Sequence, residues 1–323
     1  MTDRKRIFFL GATGTIGRAT VRALLAQGHE VICFARNRNA AQHVALAGAD
    51  MRFGDVGDLA SLRSEGLCGE SFDAVVSTLA SRTGVPRDAW AIDYKAHSLM
   101  LQLAQEANIP QMVLLSAICV QKPLLAFQQA KLAFEQELIA SGLTYSIVRP
   151  TAFFKSLSGQ VERVRAGKPY IMFGDGRMTA CKPISDDDLA AYLVDCLNDG
   201  EKWNKILPIG GPGSALTPRA QGELIFGALG REPKFRSVPL ALLKAISAAL
   251  SAAGMFHRSI ADKAELAKIG LYYASQSMLV INPETGLYDE ALTPSTGKDL
   301  LAQHYARLLR GDIADDRGDH AVF

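Results

Sequence analysis

The sequence predicts an α/β chain, a doubly wound parallel sheet followed by a smaller C-terminal lobe. Three observations predict it. Short apolar runs alternate with helical patterns from residue 7 to residue 150. Gly11, Gly14 and Gly17 stand at GxxGxxG spacing between the first apolar run and the first helical pattern. Beyond Pro150 the alternation breaks, although the chain runs to 323 residues and is 48% hydrophobic, enough to bury a large core.

Residues 7–10 are the first strand, uniformly apolar and so buried on both faces. Residues 18–27 are the first helix, through Val21, Leu24 and Leu25. In the turn between them, Gly11 permits a tight strand-to-helix reversal, Gly14 lets backbone N–H groups approach a pyrophosphate, and Gly17 lets helix and strand pack closely. Phosphates would sit at the helix N-terminus, where unpaired N–H groups and the dipole favour negative charge. This is the Rossmann-type dinucleotide arrangement, and Thr13, Thr15 and Ile16 join the glycines as expected cofactor contacts.

Residues 30–35 are the second strand. Its end carries Arg36 and Arg38 where an NAD-selective site usually has an acid, and two guanidiniums suit the 2′-phosphate of NADPH. A solvated basic loop is the alternative. Residues 40–46 are a helix and residues 50–53 the third strand. Asp55 follows, beside Val56, to accept from the adenine amino group, to cap the helix near Leu59, or both. Residues 72–80 are the fourth strand, delivering Thr78, Leu79 and Ala80 to the cofactor. Residues 90–108 are a long amphipathic helix, 112–115 the fifth strand, 127–140 a helix, and 144–148 a strand closed by Arg149 and Pro150.

In the lobe, Phe153 and Phe154 open an aromatic segment, and residues 168–172 are a short strand. Residues 185–188 cap a helix over 189–197. Residues 206–209 are the last sheet strand, and Thr217-Pro218 opens another capped helix. Residues 238–255, apolar with Lys244 inside, read as a lobe helix packed on the domain, or as a membrane-surface or lipophilic-substrate face. Residues 312–323 are a polar tail. The expected domains are thus 1–150, 151–311 and the tail.

Composition narrows the function classes. A net charge of +2 without a Lys/Arg stripe gives no reason to expect nucleic acid. Five scattered cysteines without a CxxC pair fit reduced thiols, not a disulfide frame, zinc site or cluster, and no metal site is expected. The chain enters its first strand at once, leaving no room for a signal peptide, and no apolar run is long enough to span a membrane. A cytoplasmic protein is expected, with contact to a membrane surface left open.

The chain resembles the extended and atypical short-chain dehydrogenase/reductases, including the isoflavone-reductase-like and NmrA-like group. The resemblance is carried by the three glycines, Asp55, Ser116, Lys131 and Arg149-Pro150. More specifically, residues 113–135 (Val-Leu-Leu-Ser-Ala-Ile-Cys-Val-Gln-Lys-Pro-Leu-Leu-Ala-Phe-Gln-Gln-Ala-Lys-Leu-Ala-Phe-Glu), Asn282-Pro-Glu-Thr-Gly-Leu-Tyr288 and Thr293-Pro-Ser-Thr-Gly-Lys-Asp299 are similar to segments of the NADPH-dependent 3,8-divinyl (proto)chlorophyllide a 8-vinyl reductases. The resemblance implies a magnesium tetrapyrrole substrate, NADPH as cofactor, and Ser116, Lys131 and Pro150 beside it. The superfamily's Tyr-x-x-x-Lys pair is here Phe127 and Lys131, so residue 127 cannot exchange a proton and contributes position only. Reduction of a carbon–carbon double bond is compatible with that loss. Lys131 would anchor the nicotinamide ribose and make the potential positive, and Phe127, Phe153 and Phe154 would stack on macrocycle or cofactor. Tyr94, Tyr145 and ordered water remain open as proton donors. Another NADPH-dependent reductase of conjugated molecules, or a non-catalytic NADP-binding sensor or assembly factor, are the alternatives.

Overall fold

The computed structural model describes residues 4–36, 48–255 and 257–314, so Arg38, the helix expected over 40–46 and most of the tail lie outside the described residues. Two compact units emerge. Met1–Arg82, Pro86–Pro150 and Asp186–Leu207 form the first, and Thr83–Val85, Thr151–Ser185 and Pro208–Phe323 the second. The chain passes from the first unit to the second after Pro150, and residues 186–207 return to the first.

The sheet is built from β1 (Arg6–Leu10), β2 (Glu30–Ala35), β3 (Asp50–Phe53), β4 (Ala74–Ser77), β5 (Gln111–Leu115) and β6 (Thr144–Pro150). A separate strand, β7 (Tyr170–Phe173), intervenes in the chain before β8 (Lys205–Ile209) completes the order β3-β2-β1-β4-β5-β6-β8. Leu10 lies opposite Phe34 on one side and Ser77 on the other, both pairings parallel. The order therefore reverses at β1, and in such sheets ligands bind at the carboxyl ends beside that reversal. Full enclosure accounts for the unbroken apolar run of β1, whose Ile7, Phe8, Phe9 and Leu10 are all 0% exposed. Phe72 meets Phe8 edge-on at 5.4 Å.

Helices flank the sheet. α1 (Thr15–Ala26) starts directly after Gly14, earlier than its apolar periodicity indicates, and packs on the later helix Asp186–Asp195. The expected long helix is a run from Pro86–Ala89 through Trp90–Ala96 into α2 (His97–Glu106), and its middle segment is wound wide, with i→i+5 bonding. α3 (Ala126–Ala140) precedes β6. β4 is shorter than the run that announces it, because after Ser77 the chain turns in against β1, where Thr78 N donates to Leu10 O at 2.9 Å.

In the second unit β7 pairs in parallel with β9 (Phe235–Val238). Val238 thus ends a strand, Pro239 occupies the cap, and α4 (Leu240–Gly254) begins only at Leu240. The Thr217 hydroxyl caps the preceding helix, Pro218–Ala228, by accepting from Ala220 N at 3.2 Å. α4 packs against α5 (Arg258–Ser275) so tightly at Gly254 that a Cβ there would stand 2.9 Å from Ala261 Cα. A core of Phe154, Tyr170, Ile225, Phe226, Tyr305 and Leu308 holds the unit. Of α4 only Ser247 is buried, while Leu242 is 52% and Ile246 44% exposed. No described helix is long and apolar enough to cross a membrane.

Candidate dinucleotide and reductase site

The glycine turn lies where β1 ends, and the structure requires glycine at two of its three positions, for different reasons. Gly11 takes φ +89°, and a Cβ there would stand 2.6 Å from Leu79 N. At Gly17 a Cβ would fall 2.1 Å from Gly11 O, so any side chain would force helix and strand apart. Gly14 is exposed and faces open space, with only Gly11 O near its Cβ position, at 3.6 Å. No side chain caps the first turn of α1. A closed floor under an open, uncapped helix start fits a dinucleotide pyrophosphate. Thr13 and Thr15 are half-buried at this rim, whereas the Ile16 side chain is in the core, leaving only its backbone to face a phosphate.

At the adenosine end, Arg36 leaves β2 exposed. Asp55 is exposed, its Oδ1 accepting from Gly57 N at 2.8 Å, and it does not cap the next helix. That cap is Asp58, which accepts from Ala60 N at 3.0 Å. A tight turn at residues 55–57 uses the nearer acid, and the second takes the helix. The Val56 side chain is 3% exposed and belongs to the core.

At the other end, Thr78 ties β4 to the glycine turn, its hydroxyl donating to Gly11 O at 3.3 Å. Leu79 is half-buried and Ala80 exposed. Gln128 fixes the start of α3 by accepting from Leu124 N and Leu125 N at 2.8 and 2.9 Å, which places half-buried Phe127 and, one turn on, Lys131. Lys131 is not an isolated cation. Its Nζ lies 2.9 Å from Oδ1 of Asp93, a carboxylate with a fully buried side chain. The positive potential expected of Lys131 is therefore largely neutralised by an acid that the motif search missed.

A second buried set lies below. His97 Nδ1 is 2.9 Å from Ile92 O and Nε2 2.8 Å from Ser77 Oγ. Burial lowers the His97 pKa to about 4, so the ring is neutral, Nδ1–H donates to the carbonyl, and Nε2 accepts from Ser77. Ser116, expected beside the cofactor, donates its hydroxyl proton to buried Glu135, which also accepts from Arg149 Nε at 3.2 Å. It anchors α3 to the end of β5, and buried Pro150 closes β6 alongside. Tyr145 is removed as a proton donor by topology, since it pairs with Met112 at the amino end of the sheet, away from the crevice. Tyr94 packs edge-on with Trp90 at 5.5 Å.

In the second unit Phe154 is 4% exposed and lies 5.3 Å from the His304 ring within the core, so it is structural. Phe153 stays half-buried, with Lys155 Nζ 5.9 Å from its ring centre. All five cysteines are free thiols, and among the described residues no cluster could hold a metal ion. Asp93 and His97 carried one signal in the sequence: they are polar residues spaced i, i+4 on a helix whose same face holds Ile92 and Ala96.

A family model described as NAD(P)H-binding matches residues 11–200. The chain is 50% identical to the divinyl chlorophyllide a 8-vinyl-reductase of Oryza sativa subsp. indica, over 98% of this chain and 82% of that one. It is 25% identical to the photosystem II assembly factor Ycf39 of Trieres chinensis, over 81% of each. Among solved structures, an NADPH-dependent quinone oxidoreductase of Escherichia coli superposes with a TM-score of 0.68 at 19% identity, over 94% of this chain and 99% of that one.

Proposed function

We propose a function on the premise that the chain belongs to the divinyl chlorophyllide a 8-vinyl-reductase family and to the NAD(P)H-binding proteins. It reduces the 8-vinyl group of divinyl chlorophyllide a or divinyl protochlorophyllide a to ethyl with NADPH, in chlorophyll or bacteriochlorophyll biosynthesis. The observation that carries this reading is an intact glycine cradle joined to a site with phenylalanine at 127 and lysine at 131. Such a site can hold a hydride donor but has no phenol at 127 to shuttle a proton to a carbonyl oxygen.

When bound, NADPH supplies the hydride that reaches the terminal vinyl carbon. The turn that Gly11 and Gly17 close and Gly14 leaves open would hold the pyrophosphate, Arg36 the 2′-phosphate, and Lys131 the nicotinamide ribose. Thr78 and Leu79 floor the crevice between them. Phe127 presents an apolar face that excludes water from the reacting carbons, and Phe153 is left as the stacking ring of its pair. Position, more than local positive charge, is what these residues contribute, because Asp93 offsets Lys131.

The partner surface follows from α4. No carboxylate occurs between Glu232 and Asp262, while Lys234, Arg236 and Lys244 are exposed around an apolar helix that is itself largely exposed. Apolar surface framed by cations suits the face of an anionic lipid bilayer, from which a lipophilic tetrapyrrole would be drawn.

A second reading, a non-catalytic NADP-binding assembly role, is favoured by Phe127 and by the resemblance to Ycf39. Purified protein incubated with divinyl chlorophyllide and NADPH separates the two. A shift of the Soret band, unimproved by Phe127→Tyr, is expected of the reductase, and its absence sinks it.

A further inference from the structure

We infer that Asp93 is a positioning residue of this reductase, holding Lys131 in register with the end of β4 while cancelling its charge; the inference rests on the role given to Lys131 above. Lys131 enters from α3 on a flexible four-carbon stem. With Phe127 in place of a phenol, the residue one turn earlier on α3 has no hydroxyl to offer it. The partner comes from another element, the wide segment Trp90–Ala96.

Asp93 Oδ1 accepts from Lys131 Nζ at 2.9 Å and from Ser81 N at 3.2 Å. One oxygen thus joins three segments of the first unit at the carboxyl end of the sheet: the segment just after β4, the wide turn and α3. The other oxygen, Oδ2, is buried and has no hydrogen-bond partner among the described residues. A carboxylate held this way is costly unless paired, and the ammonium supplies the pairing. The buried titratable neighbour on the same helix run, His97, is already neutral and engaged with Ile92 and Ser77, so it cannot take the ammonium's place. Asp93 is also placed by an unusual backbone, for wide turns of this kind recur at functional sites.

Consequently Asp93 governs how fast bound NADPH reacts more than how tightly it binds, since affinity resides in the glycine cradle and Arg36. The test is single-turnover vinyl reduction, with NADPH affinity by fluorescence titration, for wild type, Asp93→Asn, Asp93→Glu, Lys131→Met and Asp93→Asn/Lys131→Met. Asp93→Asn should slow the hydride step about ten-fold or more, while NADPH affinity changes less than about three-fold. Asp93→Glu, which keeps the charge, should recover part of the rate. The double variant should be no slower than Lys131→Met alone, because both act through one ammonium. If Asp93→Asn does not fold, Asp93→Glu carries the test, and its rate should fall below wild type with affinity held. Full activity in Asp93→Asn, or multiplicative losses in the double variant, would overturn the inference while leaving Lys131 its role. Full activity in Lys131→Met would instead overturn the reading of Lys131 itself.

Discussion

β1 and α4 are both apolar runs, and the protein uses them in opposite ways. β1 is enclosed by β2, β4 and the helices above and below, with every residue from Ile7 to Leu10 at 0% exposure. α4, fifteen residues of mostly leucine, isoleucine and alanine, buries only Ser247 and leans on α5. Apolarity in a sequence says that water is an unfavourable neighbour. Topology decides which neighbour replaces it, and for α4 that neighbour is chiefly α5.

Matched truncations test this contrast most directly. Leu10→Ala should cost about 2–5 kcal/mol, as for buried leucines generally, and Leu242→Ala no more than about 0.5 kcal/mol. Urea denaturation of both variants checks it, and equal losses would break the comparison. His97 sharpens the picture of the enclosed region. Its pKa falls from 6.5 unfolded to about 4 folded, so between those values the unfolded chain binds a proton that the folded one refuses. Stability should therefore fall as pH drops from 6.5 towards 4, by about 1.4 kcal/mol per unit and about 3 kcal/mol in all, and be flat with respect to this group above 6.5. Thermal melts of His97→Gln should lack that component of the slope.

At the cradle's rim, Arg36→Ala should lower NADPH affinity about ten- to a hundred-fold, equivalent to about 1.5–3 kcal/mol, with NADH affinity unchanged. An unaltered preference would remove the guanidinium from cofactor selection. A small effect on stability is expected of Leu242→Ser/Ile246→Ser. It should melt within a few degrees of wild type yet lose sedimentation with phosphatidylglycerol vesicles. Retained binding would detach α4 from the membrane, and a shift from dimer to monomer in solution would assign the face to a second copy of the chain.

Much of the first unit was legible because its elements are bounded by local chemistry. β2 falls where its apolar run and flanking turn place it, β3 where its alternating Asp-Met-Arg-Phe pattern does, and the glycine spacing locates the cradle. What was not legible depended on choices between equivalent residues. Asp55 and Asp58 are both good caps, and only the turn at Gly57 decides that the second takes the helix. Phe153 and Phe154 are adjacent and identical, yet the start of a short helix sends the second into the core. Lys131 was found by its motif, but its partner Asp93 was not, since an ion pair between distant helices leaves no local pattern. The amphipathic stripe Leu301, Tyr305, Leu308 was readable at i, i+4, i+7 and announces the last helix, Leu301–Arg310, which the search for motifs passed over.

The wide segment Trp90–Ala96 has a consequence for how this helix tolerates change in length. A wide turn is one residue longer than the α-turn it replaces, so it absorbs an extra residue that plain α-winding would turn into a rotation of about 100° about the axis. Deleting Ala91 would let the stretch relax to ordinary α-winding with the residues on either side kept close to phase, whereas the same deletion in α2 would turn everything before it. Substitutions scanned through the same stretch leave that phase untouched. The helix thus carries a residue in excess of its angular setting, and the wide segment is the one place along it where a single-codon deletion leaves that setting standing.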